Sequence, residues 1–226
     1  MSSLRKVLVT GGTGFVGRWM QRTQPAGVEG HYIGRELYNG GVWPIPHFYV
    51  HLAPIAPTAV LDVARRYGGR VLYASSGAVY ERTTRYADDK RLWEQECLAS
   101  ECNVVIARLF TFFGDGILKD DSKAITQFVK AAKACAPLRI WGDGATVRSY
   151  MSGAEMGRQL WAILFRGQNG EAYDVGSDEP VTMLELAQMV NRAFGNRSQI
   201  WIENRPEECT YYLPKDTAKT RALLSA

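Results

Sequence analysis

No apolar run in this sequence is long enough to span a bilayer. The longest candidate, residues 48–61, contains His51 and two prolines. Cysteine is scarce, and Cys97, Cys102, Cys135 and Cys209 do not fall at metal-ligand spacing, so no metal site is expected. A chain of 226 residues buries enough core to fold without disulfide staples. The four cysteines therefore read as free thiols in a reducing cytoplasm. Charge of one sign is also in short supply. Lys+Arg number 27 against 23 Asp+Glu, a net charge of +4, and the basic residues are scattered. That pattern fits an anionic small ligand or a solvated surface, and it lacks the basic–aromatic clustering of a nucleic-acid binder. Residues 8–16 are interrupted by glycines and threonines, with no small-residue cleavage site after them, so no signal peptide is expected. There is no internal repeat and no low-complexity tract.

What is present is ordinary globular composition, 46% hydrophobic and 22% charged, arranged as alternating strands and helices. The valine-rich run at residues 6–10 (KVLVT) ends in glycines, as a buried parallel strand would. A helix is predicted over 15–22, strands over 31–34 and 48–52, and a helix over 57–67 with proline in its first turn. A strand over 70–75, a helix over 86–100 and a strand over 103–109 follow. This alternation predicts an α/β fold with a parallel sheet. Further on, residues 121–136 read as a helix. Residues 138–151 read as a strand, an Asp143–Gly144 turn and a second extended stretch. Ser152-x-x-Glu155 and Thr182-x-x-Glu185 are capping boxes opening two helices, which end at Gly167 and Gly195. Short strands at 172–175 and 199–202 and a helix over 216–224 complete the chain. The dozen residues 36–47 (ELYNGGVWPIPH) leave no room for a full crossover plus a strand, so the sheet should lack one strand of a complete dinucleotide fold.

Three motifs carry chemistry. Gly11, Gly14 and Gly17 have GxxGxxG spacing after a strand and at the start of a helix. A tight turn there lets backbone approach a pyrophosphate, and the helix N-terminus meets its charge. Tyr86 and Lys90 are spaced i,i+4 and share a helix face. An ammonium beside a phenol favours the phenolate, which suits proton transfer near neutrality. Taken alone, the pair also fits a solvated helix surface. Ser75, Ser76 and Gly77 lie at the C-terminal end of a predicted strand, where open α/β sheets bind ligands; a simple strand-end turn fits equally.

In order along the chain stand TGGTGFVG (10–17), HLA (51–53), YASSGAVY (73–80), YxxxK (86–90), RLFxxFG (108–114), GDGATVRSYM (142–151) and YDVGSDEPVTMLEL (173–186). Together they resemble the extended short-chain dehydrogenase/reductase family, in particular its NAD(P)-dependent nucleotide-sugar epimerases, dehydratases and reductases. The resemblance covers nearly the whole chain. It implies a Rossmann-type sheet with helices on both faces over residues 1–112. Residues 113–226 would form mostly a small substrate-binding lobe, with elements returning to that sheet. It implies a nucleotide-sugar oxidoreductase, a ketoreductase or an epimerase, acting on a nucleotide-diphosphate sugar; a non-catalytic NAD(P)-binding regulator or partner subunit of the same fold is the alternative.

By position, Gly11, Gly14 and Gly17, with the backbone of Phe15 and Val16, would cradle the pyrophosphate, and Leu52 and Ala53 would line the cofactor cleft. Ser76 would hydrogen-bond the reacting oxygen. Tyr86 would be the general acid/base, and Lys90 would hold the nicotinamide ribose. Arg148 would contact the nucleotide or diphosphate. Thr111 stands where many members have a substrate-binding Asn. Arg35 closes the second strand and favours NADP(H) slightly over NAD(H), although Glu36 beside it blurs the signal. Several features are abbreviated: one strand, a helix ahead of Pro57, and the loop of nine residues between Ser76 and Tyr86. The absent helix belongs to the family's usual dimer interface, so a homodimer would need a non-standard one. Gly77 and Ala78 stand where dehydrating members carry an acid, so no 4,6-dehydratase is expected.

Overall fold

The computed structural model describes residues 4–34, 45–80, 83–117, 123–203 and 210–225. They divide into two compact units: residues 1–110, 153–176 and 214–226 form the first, and 111–152 and 177–213 the second.

The first unit is built on β1 (Arg5–Thr10), β2 (Val28–Ile33), β3 (Phe48–His51), β4 (Arg70–Ser76), β5 (Asn103–Leu109) and, after the short strand β6 (Phe112–Phe113) and later elements, β10 (Ala172–Val175). The sheet order is β10-β5-β4-β3-β1-β2, with every pairing parallel. Helix α5 (Gly153–Arg166) packs against α1 (Phe15–Arg22) and α7 (Thr217–Ser225), and α2 (Thr58–Tyr67) and α3 (Arg85–Ala99) pack on β3, β4 and β5. This is the expected α/β fold with a parallel sheet between helices. Because both faces of the central strands are covered, β4 from Val71 to Ser76 is buried at every position, as parallel sheets require. The order reverses between β1 and β3, the switch point at which such sheets bind ligands. No strand lies outside β2 among the described residues, and residues 35–44, including Arg35, lie outside the described set.

The second strand begins three residues before its predicted start. Val28, Glu29 and Gly30 carry no strand pattern, but they pair with Arg5, Lys6 and Val7 of β1, so tertiary pairing overrides local composition.

The second unit contains β6, α4 (Ala124–Lys133), β7 (Leu138–Trp141), β8 (Val147–Arg148), β9 (Met151–Ser152), β11 (Val181–Thr182), α6 (Met183–Ala193), β12 (Ile200–Glu203) and β13 (Tyr211–Tyr212). Ile125, Phe128, Leu138, Ile140, Leu186 and Val190 form its apolar core. The strand and extended stretch around the Asp143–Gly144 turn do not pair with each other. Strand β7 pairs with β12, and β8 pairs with β11 and β13. Gly142 and Gly144 both have positive φ, and Asp143 accepts the Ala145 amide. The Thr182 capping box forms as read, while Ser152 ends β9 immediately before α5.

Candidate active site

Strand β1 delivers the chain into the glycine turn. Gly11 has φ +71°, and a Cβ there would stand 2.9 Å from the Ala53 amide nitrogen and 3.0 Å from the Leu52 carbonyl carbon. A Cβ on Gly12 would meet Tyr32 at 2.7 Å, and one on Gly17 would run into the Gly12 backbone. Gly14 is the N-cap of α1, in extended conformation and with no side-chain cap. Its amide bonds to the Gly11 carbonyl at 3.1 Å, and its carbonyl takes the Arg18 amide at 3.0 Å. The first helical amides, on Phe15, Val16 and Gly17, thus head the positive end of the helix dipole without an intrahelical acceptor. A bare backbone cradle of this kind, which any Cβ would fill, fits the pyrophosphate of a dinucleotide.

Leu52 and Ala53 follow β3 and pack over Gly11. Leu52 is tied by its amide to Thr10 O at 3.1 Å. His51 is 1% exposed and braces this corner. Its Nε2 lies 3.0 Å from the Ile55 carbonyl and its Nδ1 lies 2.9 Å from Thr10 Oγ1. A carbonyl only accepts, so Nε2 carries the proton and the Thr10 hydroxyl donates to Nδ1. Burial pushes the imidazole below its ordinary pKa, which keeps it neutral.

Ser76 ends β4, 6% exposed, and its Oγ accepts the Ala78 amide at 3.2 Å. Thr84 caps α3 by accepting the Ala87 amide at 3.3 Å, which sets Tyr86 in the first turn, 52% exposed. Lys90, one turn further, is only 4% exposed. Its Nζ donates to Tyr73 OH at 3.1 Å and to the Ala74 carbonyl at 2.8 Å, and lies 5.9 Å from the Tyr86 ring centroid. Burial lowers Lys90 to about 8, with Glu94 and then Cys97 pulling the other way. The structure therefore brings Tyr86 and Lys90 together and ties Lys90 to the strand end that carries Ser76.

Thr111 and Arg148 belong to the second unit. The Thr111 carbonyl accepts the Met151 amide. Arg148 donates to the carbonyls of Val147 and Thr210 at 2.7 and 2.9 Å and to Thr210 Oγ1 at 2.8 Å, which holds its guanidinium along β8 and β13.

Sequence reasoning missed a second group of buried polar residues beside Lys90. Glu94 accepts from Ser75 Oγ at 2.5 Å and receives Arg108 through Nε at 3.0 Å and Nη2 at 2.7 Å. Arg108 also donates to Tyr80 OH at 2.9 Å, and Tyr80 donates to Asp174 Oδ1 at 2.8 Å. The available signal was the i,i+4 spacing of Glu94 from Lys90 and the Arg108 that opens RLFxxFG.

No group of three or more His, Cys, Asp or Glu side chains is placed to hold a metal among the described residues, and no helix among them is long and apolar enough to cross a membrane.

Comparison with known proteins gives this arrangement its relatives. Residues 46–176 match the NAD dependent epimerase/dehydratase family. UDP-glucuronic acid decarboxylase 4 of Arabidopsis thaliana is 24% identical over 188 residues, covering 73% of this chain and 42% of that protein. The chain thus spans well under half the length of that relative. In fold it resembles the epimerase Mth375 of Methanothermobacter thermautotrophicus, with a TM-score of 0.80, 23% identity and coverage of 99% and 87% of the two chains. It also resembles the dTDP-glucose 4,6-dehydratase of Bacillus anthracis in complex with NAD, with a TM-score of 0.79, 17% identity and coverage of 98% and 90%. With more than half of its length matched by the family pattern, and with the parallel sheet and glycine turn in place, the chain is a member of the NAD dependent epimerase/dehydratase family.

Proposed function

We propose that the chain is a nucleotide-sugar oxidoreductase, a ketoreductase or epimerase of the short-chain dehydrogenase/reductase type, in which Tyr86 is the general acid/base. The observation that carries this reading is the exposed Tyr86 phenol one turn from the buried Lys90 ammonium, with Lys90 gripping the strand that ends in Ser76. Gly11, Gly14 and Gly17, with the Phe15 and Val16 amides, hold the pyrophosphate; Leu52 and Ala53 line the adjoining cleft; Lys90 holds the ribose. The bound nicotinamide supplies the hydride donor and acceptor. Tyr86 gives its proton to the carbonyl oxygen when the sugar is reduced and takes it back when the hydroxyl is oxidised, while Ser76 hydrogen-bonds that oxygen. Thr111 and Arg148 are assigned to the sugar and its diphosphate, where a guanidinium fork suits phosphate.

Elimination of water needs a second acid beside Ser76. Gly77 and Ala78 carry no proton-transferring group, and a side chain at 77 would run into the Phe110 ring. Reduction and epimerisation need no such acid, and the reading leans to reduction.

The test is incubation with a panel of nucleotide-activated hexoses, keto-sugars and uronic acids, with both nicotinamide cofactors. Product should form with at least one sugar, and Tyr86→Phe should cut turnover by about 10²-fold while cofactor affinity holds. Wild-type turnover by Tyr86→Phe, or a 4-keto-6-deoxy product at catalytic rate, would overturn the assignment. Arg35 is the residue on which a preference for NADP(H) turns; tighter binding of NADH than NADPH assigns the ribose contact to Glu36.

A further inference from the structure

Buried polar groups link the end of β4 to the residues just ahead of α7. Ser75 Oγ donates to Glu94, the two arms of Arg108 hold the Glu94 carboxylate, Arg108 donates to Tyr80, and Tyr80 donates to Asp174. The second oxygen of Asp174 accepts the amides of Lys215 and Asp216 at 2.7 and 3.2 Å. Glu94 and Asp174 are 7% and 4% exposed. Burying charge is costly, so the placement of this run matters.

Glu94 lies one turn beyond Lys90 on α3, and the two side chains grip consecutive residues of β4: Lys90 donates to the Ala74 carbonyl and Glu94 accepts from the Ser75 hydroxyl. Ser76 is the next residue. Two adjacent grips from one helix fix the strand end in both position and rotation, which a single hydrogen bond would not.

We propose that Glu94, held by Arg108, is a positioning residue that sets the Ser76 hydroxyl and the Lys90 ammonium in register on the helix that carries Tyr86. The catalytic consequence rests on the proposed function; the effect on Lys90 does not.

The charge of Glu94 acts on Lys90 as well as its shape. Glu94, Cys97, Trp93 and Tyr86 face Lys90 from its own helix, Tyr73 from β4 and His51 from β3. Of these, Glu94 is the leading group that favours the ammonium against burial. The ammonium is present below a pH of about 8 and is lost as pH rises through it. Removing the negative charge moves that loss to lower pH.

Three variants separate grip from charge. Glu94→Gln keeps an oxygen for Ser75 and removes the charge. Glu94→Asp keeps the charge on a shorter arm. Ser75→Ala removes the grip alone. The Lys90 Nζ resonance, followed by NMR in 15N-lysine-labelled protein and assigned with Lys90→Arg, should titrate about one unit lower in Glu94→Gln and stay in place in Ser75→Ala and Glu94→Asp. In turnover, the alkaline limb of kcat should move to lower pH in Glu94→Gln. Ser75→Ala and Glu94→Asp should lose about tenfold or more in kcat with the KM for cofactor unchanged. An unmoved Lys90 midpoint in folded Glu94→Gln overturns the proposal. If Glu94→Gln does not fold, wild-type kcat in both Ser75→Ala and Glu94→Asp overturns it. If the wild type turns over no nucleotide sugar, the proposed function fails and the Lys90 titration still decides this inference.

Discussion

In the first unit the buried polar residues include His51, Ser75, Ser76, Lys90, Glu94 and Asp174, whereas in the second, among the described residues, they are Thr126, Ser149 and Asn191. Three of the first group are ionisable carboxyl or ammonium groups, and all six sit on β3, β4, α3 or β10. The core of the second unit is an apolar seam between α4, α6 and β7. Both units satisfy the hydrophobic requirement, so burial of apolar surface does not distinguish them. What distinguishes the first is that it accepts the desolvation cost of charge and offsets it with bidentate and network hydrogen bonds. A scaffold needs no such arrangement. Its presence beside Tyr86 and Ser76 is consistent with the roles proposed for those two residues.

The largest way to break this contrast is Gly17→Ala. The new Cβ would run into the backbone of Gly12, whose amide is tied to the Ile33 carbonyl at 2.9 Å. Cofactor binding should fall below detection by calorimetry, and the melting temperature should drop. Gly14→Ala is the sharper companion, because its Cβ would meet only the Gly11 carbonyl, at 3.2 Å. It should weaken cofactor binding while the fold is kept. Unchanged cofactor affinity in both variants would remove the glycine turn from the site.

Next in size is Arg108→Met, which leaves the Glu94 carboxylate buried without its cation. Breaking a buried pair from one side costs about 3–5 kcal/mol, to be read by urea denaturation. The matched change in the second unit, Ile140→Val, trims an apolar residue that is 1% exposed and should cost about 0.5–1.5 kcal/mol. Equal costs would mean that the ion pair contributes no more than ordinary packing, and the contrast between the units would lose its energetic basis.

Much of the first unit was legible because its signals are local. The strand predicted at 103–109 is β5 residue for residue. The glycine turn and the Tyr86–Lys90 pair depend on fixed spacing within one loop and one helix. The charge network was not legible because its members meet through register. Arg108 on β5 is the cross-strand partner of Ser75 on β4 and of Asp174 on β10, a coincidence that no single strand encodes. The same limit explains the second unit, where β7 and β8 find partners 50 or more residues later for all but one of their pairings. Spacing within an element announces a site; pairing between elements determines what supports it.

The smallest expected effect tests the second unit on its own terms, at a place where its polarity is exposed. Thr182 Oγ1 accepts the Glu185 amide at 3.1 Å, and the Glu185 carboxylate accepts the Thr182 amide at 2.8 Å. Thr182→Ala should cost about 1 kcal/mol and leave the Lys90 titration unmoved, since nothing in the cap reaches that network. The backbone hydrogen bond from Thr182, and then its hydroxyl, hold the Glu185 carboxyl below its ordinary pKa. A carboxyl lowered on folding stabilises above its unfolded value, and that contribution fades as the pH falls through its lowered one. The cost of Thr182→Ala should therefore be greater at pH 7 than in acid. Thermal melts of wild type and variant at the two pH values measure it, and an equal loss at both would show that the hydroxyl caps the helix without help from the carboxylate.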